Sequence, residues 1–279
     1  MKRKYEFTGE TMEYNNCILH RIKLLIDIPS KGLKKGHLGG WLEAECNLSH
    51  EGDCWVDNEA KVYNRGRVVD NADVRDEAEV CGIAEVCENA IVFGNARVAE
   101  NADVSGNGCV SGNAVVDENA SVQDFAVVSD FAKVGGDAVV QLFALVGGHS
   151  VVRGDAIVSC FSIINGNAEV AGDVMVGNAR ITDKAKITGG EFGRGTMVIN
   201  NGEITDTEDC IYLSPFSRST DSITYNKKTD TVCSGQFKGS LAAFEKFVEK
   251  RCENEEEYKV SIDYLKKMKE IFQKNLDNR

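Results

Sequence analysis

The chain is poor in the residues that usually announce chemistry. Its 279 residues include only 4 His and 2 Trp, and none of its 10 Cys lies in a C-x-x-C pair. No two histidines have zinc-ligand spacing, so a structural zinc site is not expected. Without a disulfide-type spacing pattern, the cysteines read as free thiols of a reducing compartment. No N-terminal apolar segment and no long apolar run occurs, which points to a soluble, cytoplasmic protein without a membrane partner. Positive charge is also short: Lys and Arg number 32 against 44 Asp and Glu, a net charge of −12. That balance argues against a nucleic-acid backbone or an anionic membrane surface as partner. With only 2 Pro and 42% hydrophobic residues, there is room for one extended domain and a small second one.

What the chain has is a repeat. From Val56 to Val176 an aliphatic residue returns at every sixth position, as in Val62, Val68, Val74 and Val80. A small residue sits four places later, as in Ala60, Gly66, Ala72 and Ala78. A 3.6-residue period cannot hold a six-residue spacing on one face, whereas a short strand keeps positions two apart on the same side. Each hexad is therefore a two-residue strand with Ala and Val inward, followed by a corner rich in Gly, Asn and Asp. Self-similarity at a fixed period marks a parallel β-helix. Three hexads close one coil, and residues three hexads apart stack at about 4.8 Å, giving a rod about 35 Å long.

The flanks differ. Tyr5 to Phe7, Thr11 to Tyr14 and Cys17 to Ile26 alternate as strands, with Asn15-Asn16 as a turn. They read as a cap covering the exposed first edge of the coil. Lys31 to Trp55 reads as an irregular lead-in. After Val176 the register slips by one, because Ala179 and Ile181 come early, and Asp206 to Asp209 reads as an acidic linker. Strands are expected at Cys210 to Leu213, Ile223 to Tyr225 and Thr231 to Cys233. A helix N-capped by Ser240 and a second one with Tyr258, Ile262, Leu265, Met268 and Phe272 on its apolar side follow.

The Gly39-Gly40-Trp41 element, the Asn47-Leu48-Ser49 step and the Gly52-Asp53-Cys54-Trp55 run leading into hexads resemble the YdcK-like left-handed β-helix proteins of bacteria and phages. The likeness covers roughly residues 4 to 190. It implies a left-handed coil, and it brings the transferase label that such proteins often carry through fold kinship with hexapeptide-repeat acyltransferases. The fold expected is thus mainly β. An N-terminal β cap spans 1–40, a left-handed parallel β-helix 41–205, and a small α+β C-terminal domain ending in two helices 206–279. The C-terminal segment also resembles small modules of phage-encoded proteins.

Candidate sites follow from the three-hexad register. Phe125, Phe143 and Phe161 replace the usual corner Asn and should stack as a ladder, with Leu142 at the same corner. On one adjoining face the outward positions are Ile91, Val127, Leu145 and Ile163, and on the other Val139, Ile157 and Met175. Lys61, Glu79, Arg97, Lys133 and Glu169 fall on the third face. A monomer rarely exposes a contiguous apolar patch of this kind, so something is expected to cover it. The alternatives are a second copy in a dimer or trimer, the chain's own C-terminal helices, or a foreign partner.

Among the histidines only His149 lies within the regular coils, with Phe131 one coil before it and Asn167 one coil after. As a general base between subunits it would make the protein an acyltransferase using a coenzyme A thioester; otherwise it is a polar corner residue and no cofactor is expected. Asp137, Asp155 and Asp173 stack at another corner, either solvated or holding a weak cation. Ser217, Arg218 and Lys238 could hold a small anionic ligand or a protein at the C-terminal domain, or form a solvated loop. The leading expectation is a non-enzymatic scaffold that self-associates through the apolar edge and recognises partners with its C-terminal domain. A phage-borne antagonist of a host protein or nucleotide signal is a third reading.

Overall fold

The computed structural model describes residues 3–192, 197–198, 203–205, 209–213, 221–235, 237–251 and 255–277. From Trp55 to Ile204 the chain winds as short strands, mostly of two residues, that pair in parallel from coil to coil in three sheets. One sheet has nine strands, from Trp55–Val56 to Met197–Val198, and is called here the Leu145 face. A second has eight, from Arg67–Val68 to Gly190–Phe192, the Met175 face. The third continues from the cap through Lys61–Val62 to Glu203–Ile204, the cap face. Partners along each sheet are three hexads apart, as in Ile91 with Cys109 and Val127 with Leu145. The expected parallel β-solenoid is therefore present.

The inside of the coil is filled by the repeat itself. Val62, Val80, Val98, Ala60, Ala78 and their counterparts are fully buried in one continuous cluster. Ser150 and Ser162 take the small-residue position in two hexads and send their hydroxyls to the backbone, on Gly147 O at 2.7 Å and Ser159 O at 2.6 Å. This is how a buried hydroxyl avoids an unmet desolvation cost.

Corner residues adopt left-handed backbone conformations, and many are not glycine: Asp70, Asp76, Glu88, Asp124 and Asp130 all have φ between 56° and 62°. Their carboxylates explain the choice. Asp70 accepts a hydrogen bond from Glu88 N at 3.1 Å, Asp76 from Gly94 N at 3.1 Å, Asp124 from Leu142 N at 3.1 Å and Asp130 from Gly148 N at 2.8 Å. Each of these carboxylates thus satisfies an amide of the next coil, and Asx-type side chains tolerate the left-handed geometry. Where the corner is glycine the backbones come closer. A Cβ on Gly154, at φ 73°, would lie 2.6 Å from Gly172 N.

The N-terminal cap is an antiparallel hairpin, β1 (Tyr5–Tyr14) and β2 (Cys17–Leu24), turned by Asn15 and Asn16 at φ 50° and 63°. β1 is one strand with an irregularity between Phe7 and Thr11. A third strand, β3 (Leu38–Leu42), pairs antiparallel with β2 and parallel with Lys61–Val62. It lies in the stretch that the sequence marks as irregular. Gly39 and Gly40 make it possible, since Cβ atoms there would meet Trp55 Cζ2 at 2.5 Å and Ala60 O at 2.4 Å. The cap is pinned by Glu59, which accepts from Arg21 at 2.7 Å and from Trp41 Nε1 at 2.9 Å. Both bonds hold its carboxyl below the ordinary value. Beneath the cap, the His50 ring packs against Tyr5 with centroids 4.4 Å apart and planes tilted by 30°, and it accepts a hydrogen bond from Lys4 N at 3.3 Å.

At the other end the coils shorten: Ile163 pairs with Arg180 and Val170 with Ile187, one position short of three hexads, which is the expected slip. Strand pairing nevertheless continues to Ile204. Asp209, which the sequence places in an acidic linker, is buried and accepts from Thr205 N at 3.1 Å and Lys228 Nζ at 2.7 Å. Burial pushes its carboxyl up, but these bonds win and the net shift is downward. The C-terminal module is a four-stranded antiparallel sheet, Cys210–Leu213, Ile223–Asn226, Thr231–Ser234 and Phe237–Ser240. The last strand is not among those expected from the sequence. Helices α1 (Leu241–Arg251) and α2 (Glu255–Asp277) pack on it, with Ser240 Oγ accepting from Ala243 N at 3.2 Å as the expected N-cap. Its core joins Tyr225, Val232, Phe244, Val248, Ile262 and Leu265.

Two outcomes follow. Gly154→Ala should lower unfolding stability by at least about 1–2 kcal/mol in urea titration, from left-handed strain alone, with the clash against Gly172 adding to it. Burial lowers the basicity of His50 below its ordinary 6.5. Its contribution is therefore full above that value and is lost as pH falls through it, because the unfolded chain then binds the extra proton. The melting temperature should fall on acidification below about pH 6.5, and His50→Gln should flatten that part of the profile. The step below the ordinary Glu value of 4.5, from the depressed Glu59 and Glu169 carboxyls, should remain.

Candidate functional site

Registered coils bring residues three hexads apart into columns, so a corner substitution repeated every third hexad becomes a ladder. Phe125, Phe143 and Phe161 form one: successive ring centroids are 5.1 Å apart, with planes within 8° of parallel. That separation is close to the strand spacing and within the range of offset aromatic stacking. The ladder is exposed, Phe161 at 68%, Phe125 at 54% and Phe143 at 48%. Leu142, at φ 60° on the same corner, is exposed too.

The adjoining faces carry the apolar residues expected of them. Ile91, Val127, Leu145 and Ile163 pair along the Leu145 face together with Cys109. Val139, Ile157 and Met175 pair along the Met175 face. Between Ile91 and Ile163 the outward positions of the Leu145 face hold no charged residue. The cap face instead carries Lys61, Glu79, Arg97, Lys133 and Glu169, and there Glu169 binds Arg153 at 2.5 Å and Lys186 at 3.8 Å.

A second aromatic column borders the other side of the Leu145 face. Phe131 and His149 stack at 4.7 Å with planes 7° apart. The one-coil spacing of these two is visible in the sequence, but the sequence reading leaves Phe131 out of the apolar surface. With it, the strip from Val127 to Ile163 is flanked by rings on both corners.

His149 itself is an exposed corner residue whose ring lies on Phe131, and no carboxylate orients its nitrogens among the described residues. A general base needs such orientation. His37 does pair with a carboxylate, Asp57 at 2.7 Å, but this bond ties the cap to the first coil. Asp137, Asp155 and Asp173 are exposed, and Asp137 accepts from Asn119 Nδ2 at 2.9 Å at the end of an asparagine ladder. An open groove on that corner, lined by Ile83, Glu100, Asn101, Glu118, Asn119 and Asp137, is acidic. Neighbouring Asp117 has its carboxyl pushed up by burial and by Glu100 and Glu118. Among the described residues no group of three or more His, Cys, Asp or Glu is placed to hold a metal ion. No helix among them is long and apolar enough to cross a membrane.

At the C-terminal module, Ser217 and Arg218 lie outside the described residues. Lys238 is engaged by Asp183 of the coil at 2.9 Å. This contact, with the bond of Lys228 to Thr205 at 2.7 Å, seats the described part of the module against the last coils. It leaves both aromatic columns exposed, so the described part of the chain does not supply their cover. Comparison with known proteins gives no matching family model and no matching curated protein.

If His149 serves only as the upper ring of its column, His149→Ala should cost about 0.5–1.5 kcal/mol of stability, the worth of one aromatic pair. Thermal unfolding with circular dichroism checks this; the β signature should be unchanged.

Proposed function

We propose that this protein is a non-enzymatic scaffold, a rod whose apolar edge joins it to a second copy of itself. The observation that supports this reading is the charge-free strip between two stacked aromatic columns, still exposed with the C-terminal module in place. On this reading the C-terminal module carries recognition. The YdcK-like identity and the left-handed coil belong to this reading as well, on the strength of the Gly39-Gly40-Trp41 and Gly52-Asp53-Cys54-Trp55 elements.

A second copy suits the strip better than a foreign partner of unknown shape, because a two-fold contact uses the same surface twice. Each half-exposed side chain would contribute roughly 1 kcal/mol on burial. The eleven residues named for the edge, counted in both copies, would give on the order of 20 kcal/mol, against about 4–15 kcal/mol for lost freedom. The flanking Asp124 and Asp130 carboxylates are engaged by amides of the next coil, which keeps their charge from facing an incoming apolar surface unpartnered.

Phe143→Asp combined with Leu145→Asp should give a monomer by light scattering while the circular dichroism stays β-rich. Each chain carries a net charge of −12, so added salt should strengthen wild-type association by screening repulsion between copies. A wild-type protein already monomeric across a concentration series would overturn the reading. Coenzyme A binding that is lost in His149→Ala would replace it with the acyltransferase.

A further inference from the structure

We propose that Lys4 and Cys54 are a modification site at which oxidation joins the N-terminal segment covalently to the first coil. The pair stands apart from the aromatic edge and does not depend on the scaffold reading.

Lys4 is only 1% exposed, an unusual place for an ammonium group. A buried cation is normally compensated by a carboxylate. Here the Nζ donates instead to three backbone carbonyls, Cys54 O at 2.9 Å, Gly52 O at 3.2 Å and Glu51 O at 3.3 Å, and to Cys54 Sγ at 3.1 Å. Cys54 is fully buried at an inward position that most other coils fill with alanine. Burial pushes its thiol up and Lys4 opposes that. The structure therefore holds an amine nitrogen in contact with a sulfur, with no third side chain between them.

The oxidant is hydrogen peroxide, small enough to enter when the segment breathes. The sulfur attacks one peroxide oxygen and the O–O bond breaks. Cys54 becomes a sulfenic acid and one water leaves, with two electrons passing from sulfur to peroxide. The Lys4 ammonium first loses one proton to solvent; the free amine then attacks the sulfur, and the S–O bond breaks as the S–N bond forms. The departing hydroxide takes a second proton from that nitrogen and leaves as water. Sulfenic acids condense with backbone nitrogens to sulfenamides, and here the lysine amine takes that nitrogen's place. The flexible lysine stem closes the remaining distance. Attack of an added thiol on the sulfur reverses the link. The bond bridges positions 50 residues apart, so it would restrict the unfolded chain much as a disulfide does.

The test uses the full-length protein treated with graded hydrogen peroxide and mapped by peptide mass spectrometry, with the exposed Cys46 as an internal measure of oxidation. The expected product is one species joining the peptides that contain Lys4 and Cys54, two hydrogens lighter than their sum and separated by dithiothreitol. It should be absent in Lys4→Arg. It should also be absent in Cys54→Ala, which follows the repeat's own residue choice and so keeps the fold if arginine does not. The melting temperature of the treated wild type should rise and return with dithiothreitol. Oxidised Cys46 beside an unlinked Lys4, with Cys54 either a free thiol or a sulfinic acid, would overturn the proposal.

Discussion

Everything in this molecule rests on a stacking condition: each coil must repeat after three hexads so that Val lies over Val and Ala over Ala inside the tube. Two residues of strand per side are too few to hold a sheet alone. Stability comes from neighbouring coils, each burying the other's inner surface and pairing its backbone. The corner carboxylates extend this economy, because an Asp or Glu in left-handed conformation serves the amide one coil ahead. The same condition amplifies any outward substitution. One phenylalanine per coil at a constant corner becomes a continuous hydrophobic column, and one charge per coil becomes a charged face. On the proposed reading, function on such a rod is a matter of stripes rather than of clefts.

Much of this is legible in the residues. The hexad period determines the three faces, and from it the Phe ladder, the apolar strips and the charged cap face all follow without coordinates. What stays hidden has physical reasons. Gly39 and Gly40 look like loop residues, yet they mark the place where β3 comes too close to Trp55 and Ala60 for any side chain. Phe237–Ser240 carries a lysine and a glycine, poor strand formers, and becomes a strand because the sheet beside it supplies partners. Asp209 looks like a linker carboxylate because sequence does not show that Lys228 and Thr205 converge on it. Lys4, one of several charged residues near the start, gives no sign of being buried.

The candidate site is legible in outline and incomplete in detail. The ladder's members and the one-coil spacing of Phe131 from His149 are both readable from the sequence, whereas counting that second column with the apolar surface needs its corner placed beside the Leu145 face. Lys238, marked for an anionic ligand, instead anchors the C-terminal module to Asp183. That contact places the module's described part at the last coils, and among the described residues the aromatic edge stays exposed.

The most direct measurement is a native mass spectrum of the protein purified gently from its own host's lysate, because it reports stoichiometry and retained small molecules together. The scaffold account predicts an even-numbered assembly of this chain with no bound small molecule. A single chain carrying a coenzyme-sized adduct would contradict it.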